Sequence, residues 1–247
     1  MAGFDIIIVG AGPAGLSTAL HLAQSAPRLA EKTLILEQAH HPRPKLCAGG
    51  VLPGGEAYLR GLGLDMSAVP SIPVQEMRLQ FEARRYVIRR KPVCFRTVRR
   101  DQFDAWLADA AREQGLELRE GVRVREVRIH DGYAEVLTDG DTYRARVVVG
   151  ADGAKGTVRR VVPRRPVSQI ARLLEVRLPA VSQDGYQHQA IFDFSGVCLG
   201  LQGYVWDFPT PSEGCTMRTC GVYDSRVYPH LSRVSLRETL EQGLARH

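Results

Sequence analysis

The chain has 247 residues, 44% of them hydrophobic and 24% charged, which fits a soluble globular protein with one large domain or two interleaved ones. No apolar run approaches the roughly 20 residues of a membrane-spanning helix, and "MAGFDIIIVG" has no basic stretch ahead of its apolar run, which argues against a signal peptide. The net charge of +6 comes from arginine pairs scattered over predicted strands and loops, with only 7% aromatics; this argues against a nucleic-acid binder and favours a solvated basic surface with some affinity for anionic ligands or lipid head groups.

Phe4–Gly10 ("FDIIIVG") is a short β-branched run without alternation, the pattern of a parallel strand buried on both faces. Leu16, Ala19, Leu20 and Ala23 then recur at helical spacing, and Pro27 stops the helix. Thr33–Gln38 ("TLILEQ") is a second buried strand, so the opening stretch forms a βαβ unit. A glycine-rich loop, "RPKLCAGGVLPGG", precedes a short helix near Gly55–Gly61 and a proline-bearing linker, "MSAVPSIPVQ". In "EMRLQFEARRYVIRRKPVCF", Met77, Leu79, Phe81, Tyr86 and Ile88 alternate with polar and basic residues, which predicts a hairpin with one wet face.

Arg100–Gly115 predicts an amphipathic helix, with Phe103, Trp106, Leu107 and Ala110 on one face and Gly115 closing it. Strands follow over Leu116–Arg119, Val122–His130, Tyr133–Thr138 and Thr142–Val149, with turns at "HDG" and "TDGD". Beyond Pro163, "LLEVRLP", "QAIFDFSG", "CLGLQGYVWDFP" and "CTMRTCGVY" predict an antiparallel sheet. Ser235, followed by Glu238, predicts the capped start of a last helix. The fold class is α/β (α+β): a Rossmann-like domain in two parts, 1–74 and 98–162, interleaved with a β-rich substrate domain in 75–97 and 163–247.

The cysteines Cys47, Cys94, Cys198, Cys215 and Cys220 are widely spaced with no CxxC. That argues against a disulfide framework or a metal site and fits a reducing, cytoplasmic compartment. Gly10-Ala11-Gly12-Pro13-Ala14-Gly15 is a GxGxxG between a predicted strand and a predicted helix. Gly10 allows the tight turn, Gly12 lets backbone approach a pyrophosphate, and Gly15 lets helix and strand pack closely. The helix start offers N–H groups to the phosphates. Glu37, closing the second strand, is placed to accept from the ribose hydroxyls of an adenosine.

Three further features favour FAD over NAD. "RRDQFD" holds R-x-x-F-D with Arg100, Phe103 and Asp104; "VVVGADGAKGTVRR" is a second strand-to-glycine turn around Asp152; the third is the Cys47 loop. In this order the motifs resemble the flavoprotein group that includes the aromatic-ring hydroxylases. Within it, P-x-x-K-x-C-A-G-G (Pro42 to Gly50) and Y-V-W-D-F-P (Tyr204 to Pro209) are similar to the geranylgeranyl reductase family. The resemblance implies FAD contacts at Ala14, Glu37, Cys47, Ala48, Gly50, Arg100 and, through backbone, Val124. Asp152 matches the aspartate of the second turn, and equally suits a plain turn residue. Arg100, near a helix start, has a fork suited to a pyrophosphate. Tyr204, Trp206 and Phe208 share one strand face and are read either as an aromatic wall for a long apolar ligand or as core.

The resemblance implies an FAD-dependent reduction of C=C bonds in isoprenoid chains, with NADPH or reduced ferredoxin as electron donor. Cys47 is read as a proton donor made more acidic by Lys45, or as a residue that only packs on the flavin ring. Two other readings stand beside it: a flavin monooxygenase or halogenase-type enzyme, and a non-catalytic chain that binds lipid or a partner. No G-D-A-A-G-like segment occurs in Gly221–His247, so against the resemblance the chain reads as truncated before a third flavin motif: a fragment, a truncated or split gene, or a chain whose site a partner completes. A cytoplasmic protein is the expected setting, and whether its basic surface makes peripheral membrane contact is left open.

Overall fold

The apolar run near the N-terminus forms a strand buried to its end, with Ile7 and Ile8 fully inaccessible. A computed structural model describes residues 3–162, 170–180, 186–213 and 217–246. In chain order the strands are β1 (Gly3–Val9), β2 (Thr33–Leu36), β3 (Gly50–Val51), β4 (Ser71–Val74), β5 (Glu76–Phe81), β6 (Arg84–Arg89), β7 (Phe95–Val98), β8 (Glu117–Arg119), β9 (Val124–His130), β10 (Tyr133–Thr138), β11 (Thr142–Gly150), β12 (Arg172–Pro179), β13 (Gln189–Asp193), β14 (Gly203–Thr210) and β15 (Met217–Asp224). The helices are α1 (Pro13–Ser25), α2 (Pro27–Ala30), α3 (Pro53–Gly61), α4 (Arg100–Glu113) and α5 (Leu236–Leu244).

The chain divides into two compact units, one of Met1–Pro44, Gly61–Leu64 and Asp101–Pro166, the other of Lys45–Arg60, Asp65–Arg100 and Val167–His247. The first holds a six-stranded sheet in the order β8-β2-β1-β11-β10-β9. β1 lies between β2 and β11, parallel to both, which is why its apolar residues run without alternation. β9, β10 and β11 form an antiparallel meander, and alternate residues such as Val127, Val136 and Tyr143 join Ile7, Val9 and Leu34 in the core.

The second unit carries a six-stranded sheet in the order β12-β15-β14-β13-β5-β6 and a three-stranded one, β3-β7-β4. β14 shows how period two sorts the larger sheet. Trp206 and Phe208 pack with Val74, Phe95 and Ala190, whereas Val205 joins Val222 and Leu240 in a separate cluster that includes α5. Ser235 caps α5 by accepting from the Glu238 N–H at 3.3 Å.

Several expectations are corrected. The four strands expected beyond Pro163 do pair antiparallel, β12 with β15, β15 with β14 and β14 with β13, and the sheet becomes mixed only where β13 runs parallel to β5 of the hairpin. Alternation marks a half-buried strand but leaves its partner and direction open. The hairpin ends at Arg89, and Phe95 belongs to β7. The segment read as a linker contains β4, whose Pro73 lies opposite Arg96 of β7. Ser195–Leu199 forms a 3₁₀ turn, so the strand expected from Cys198 begins at Gly203. Pro27 does not simply stop a helix; it opens α2, where its missing N–H costs nothing. Cys215, at the head of the last expected strand, lies outside the described residues, as does the expected domain junction at Pro163. Among the described residues no helix is long and apolar enough to cross a membrane, and Cys47, Cys94, Cys198 and Cys220 are free thiols.

Candidate functional site

In the first unit the site is built around the glycine loop between β1 and α1. Gly10 has φ +103°, and a Cβ there would meet the Ala151 carbonyl. A Cβ on Gly15 would overlap the Gly10 carbonyl oxygen, so both glycines are demanded by backbone packing. Gly12 differs: a Cβ on it would meet only the Arg43 guanidinium, at 3.4 Å. α1 starts with Pro13 and has no side-chain cap, so its first-turn donors keep the positive end of the helix for a ligand. Ala14, in that first turn, is exposed.

Glu37 is buried and holds its own chain: Oε2 accepts from the Ala11 N–H at 2.9 Å and Oε1 from the Ala39 N–H at 3.1 Å. A carboxylate has about four acceptor positions, so a ribose hydroxyl can still be received there. Arg43, which the sequence reading passed over, lies 3.6 Å from Glu37 Oε2 and 3.4 Å from Asp104 Oδ2. Its Nε is buried without a hydrogen-bond partner. The aspartate of R-x-x-F-D thus faces a cation at the glycine loop. Asp152 organises its own turn, with Oδ2 accepting from the N–H groups of Thr157 and Val158. The Val124 carbonyl accepts from the Thr157 hydroxyl at 3.5 Å, and its side chain is core.

In the second unit Lys45 is exposed and Cys47 partly buried. The Cys47 sulfur accepts from the Gly49 N–H at 3.4 Å. Gly49 has φ +77°, and a Cβ there would overlap the Val98 carbonyl oxygen. Gly50 pairs with Thr97, and its open face meets the Phe95 ring. Arg100 is the first residue of α4 and is partly buried. Ala48 packs on the aromatic cluster that contains Trp206, Phe208 and Tyr204.

Of the three aromatics, Trp206 and Phe208 are 3% and 6% exposed and serve as core, while Tyr204 is only half-buried. Tyr204 makes tilted ring contacts with Phe192, Phe194 and Tyr223, at centroid distances of 5.4–5.6 Å. Its phenol is pushed up by burial and further by Tyr223 and Cys47. Glu175 was not foreseen from the sequence. It sits on β12 opposite Gly221, which in turn pairs with Trp206. Burial pushes its carboxyl up, against Arg177 and the Cys47 N–H, which pull it down. Its Oε2 is buried with no hydrogen-bond partner. Only strand register reveals this position; "LLEVRLP" alone shows a charged residue in an alternating run.

An open Gly12, an uncapped helix start and the nearby Arg43 fit the pyrophosphate of a dinucleotide. Comparison with known proteins agrees. The chain is 30% identical over 218 residues to the menaquinone reductase of Mycolicibacterium smegmatis, covering 83% of this chain and 52% of that protein. A geranylgeranyl bacteriochlorophyll reductase-like protein from Thermoplasma acidophilum superposes with a TM-score of 0.75 at 21% identity, over 100% of this chain and 61% of that one. The myxobacterial halogenase CndH, an FAD-dependent enzyme, superposes with a TM-score of 0.72 at 20% identity, over 100% and 57%. The chain spans about half the length of the curated relatives it matches. The family described as FAD binding domain matches residues 3–192, and the chain belongs to that family.

Proposed function

We propose that this chain is the FAD-holding part of an FAD-dependent oxidoreductase that saturates C=C bonds of isoprenoid chains. The observation that carries the reading is the meeting, within one unit, of the Cys47–Ala48 loop, the Glu175 carboxyl and the aromatic face of β14. The K-x-C-A-G-G and Y-x-W-x-F-P motifs, and the names of the menaquinone reductase and the geranylgeranyl reductase-like protein, support it.

FAD, when bound, supplies the hydride equivalent from its reduced ring. The chain's own task is to hold the dinucleotide, orient an apolar ligand, exclude water and provide the proton that alkene reduction also consumes. Gly10, Gly12, Gly15, Ala14 and Arg43 would hold the phosphates, with Glu37 on the ribose. Arg100, Cys47, Ala48 and Gly50 would meet the rest of the cofactor. Tyr204 offers the accessible edge of the aromatic face to the chain being reduced. Cys47 and Glu175 are the proton-bearing groups beside it, and Glu175, held toward its neutral form, is suited to carry a proton. Lys45 is assigned to charge balance at the loop, and NADPH or reduced ferredoxin to electron supply.

The halogenase-type reading draws on the superposition with CndH, and the two separate in one experiment. The purified chain is scanned for flavin absorbance, reconstituted with FAD if colourless, reduced without oxygen and given a prenyl substrate. Two hydrogens gained per double bond, measured by mass, support the reductase. Turnover only with oxygen and halide supports the alternative. Failure to take up FAD at all removes both and leaves a non-catalytic chain that binds lipid or a partner.

A further inference from the structure

We propose that His41 is a positioning residue for the glycine loop: as an imidazolium it locks the Ala11–Gly12 peptide so that the Gly12 N–H is turned toward the dinucleotide. The part concerning the dinucleotide rests on the FAD reading above. The His41 side chain is 2% exposed. Its Nδ1 lies 2.6 Å from Glu120 Oε1 and its Nε2 lies 3.1 Å from the Ala11 carbonyl oxygen.

A neutral imidazole has one donor and one acceptor. A backbone carbonyl only accepts. Glu120 Oε1 also accepts here, because it receives the His41 N–H at 3.1 Å and Arg112 Nη2 at 2.9 Å in addition to the ring. Either neutral tautomer would therefore aim a lone pair at an oxygen. Only the doubly protonated ring satisfies both contacts. Burial pushes the Glu120 carboxyl up, but hydrogen bonds from His41 and Arg112 outweigh it and hold the carboxyl below its ordinary range. The other titratable neighbour is His40, whose Nδ1 is 3.7 Å from Glu120 Oε2.

The consequence follows from peptide geometry. Ala11 is fully buried and is tied at both ends, its N–H to Glu37 and its C=O to His41. In a trans peptide the C=O of Ala11 and the N–H of Gly12 point in opposite directions. Fixing one therefore fixes the other, and the Gly12 donor is aimed away from His41. Gly12 is also the glycine of the motif whose open side meets only a cation. A phosphate received there gains from a donor already oriented, with no ordering cost at binding.

The test uses the 247-residue chain labelled with nitrogen-15. Both ring nitrogens of His41 are expected to carry protons at neutral pH, and the Gly12 amide resonance is expected to move in His41→Phe. Titration with FAD, and with ADP as a second probe, is expected to show affinity weakened roughly ten-fold in His41→Phe, the loss of one hydrogen bond to a charged group. His41→Gln, whose amide nitrogen has two donors, should recover part of that affinity, which a role in stability alone would not require. A ring with one bare nitrogen, or an unmoved Gly12 amide in the folded Phe variant, overturns the proposal. So does unchanged affinity for FAD and ADP in that variant. If the unsubstituted chain binds neither ligand, the FAD reading falls, and the ring and Gly12 signals still decide the positioning claim.

Discussion

Around the glycine loop of the first unit, three carboxylates are spent on backbone N–H groups: Glu37 on Ala11 and Ala39, Glu120 on His41, Asp152 on Thr157 and Val158. On the aromatic face of the second unit, Glu175 Oε2 and Trp206 Nε1 are buried without partners. The first arrangement fixes a shape, since every bonded carboxylate pins a turn. The second keeps polar capacity in reserve, at the cost of a buried group left unpaired. A preformed cradle suits a cofactor that stays, whereas an unsatisfied carboxyl suits a proton that comes and goes. The difference makes the two regions separable by mutation.

The largest effects are expected where the two regions are alike. Gly15→Ala in the first unit and Gly49→Ala in the second each drive a Cβ into a backbone carbonyl, of Gly10 and Val98 respectively. Backbone cannot swing aside as a side chain can, and Gly49 adds the strain of its positive φ. Each variant should lose about 3 kcal/mol of unfolding free energy in urea. A loss confined to Gly15→Ala would mean that the Cys47 loop is not held by the packing seen here.

The next effect separates the regions. Glu37→Gln puts an amide N–H against the N–H of Ala11 or Ala39, leaving one buried donor unpaired, and should cost about 2 kcal/mol by the same measurement. Glu175→Gln removes no comparable bond from Oε2 and should not lower stability at neutral pH. Equal losses in the two variants would erase the distinction between a pinned and a reserve carboxyl.

How far these features could be read from the sequence depends on how local their causes are. Gly10 and Gly15 are legible because the steric demand arises within one strand–turn–helix. Glu37 is legible because it closes a strand next to that turn. Arg43 and His41 were not, since both sit in an irregular loop and the partner of His41, Glu120, is 79 residues away. Pro70 and Pro73 make β4 look like a linker, yet its pairing with β7 tolerates Pro73. The aromatic triplet was legible as one face by period two, but not its division into buried Trp206 and Phe208 and half-buried Tyr204. That depends on Phe95 and Val74, which arrive from other strands. Glu175 depends on the β12·β15 register, which alternation alone leaves open.

The smallest effect is the most discriminating, because it has opposite sign in the two units. Glu120 titrates below its ordinary range when folded: burial raises it, but His41 and Arg112 outweigh burial. Its contribution to stability is therefore present above the unfolded-state value and is lost as pH falls through the folded one. Glu175 is raised by burial, so the folded protein holds its proton over a window in which the unfolded chain has released it. Stability is then intact below the unfolded-state value and declines as pH rises through the folded one. Neither glutamine variant has a carboxyl to titrate. Urea midpoints measured from acid to neutral pH should show the unsubstituted protein gaining on Glu120→Gln and losing ground to Glu175→Gln. Parallel curves for Glu175→Gln would show that its carboxyl ionises as freely as in the unfolded chain, and the proton store proposed beside Cys47 would then have no physical basis.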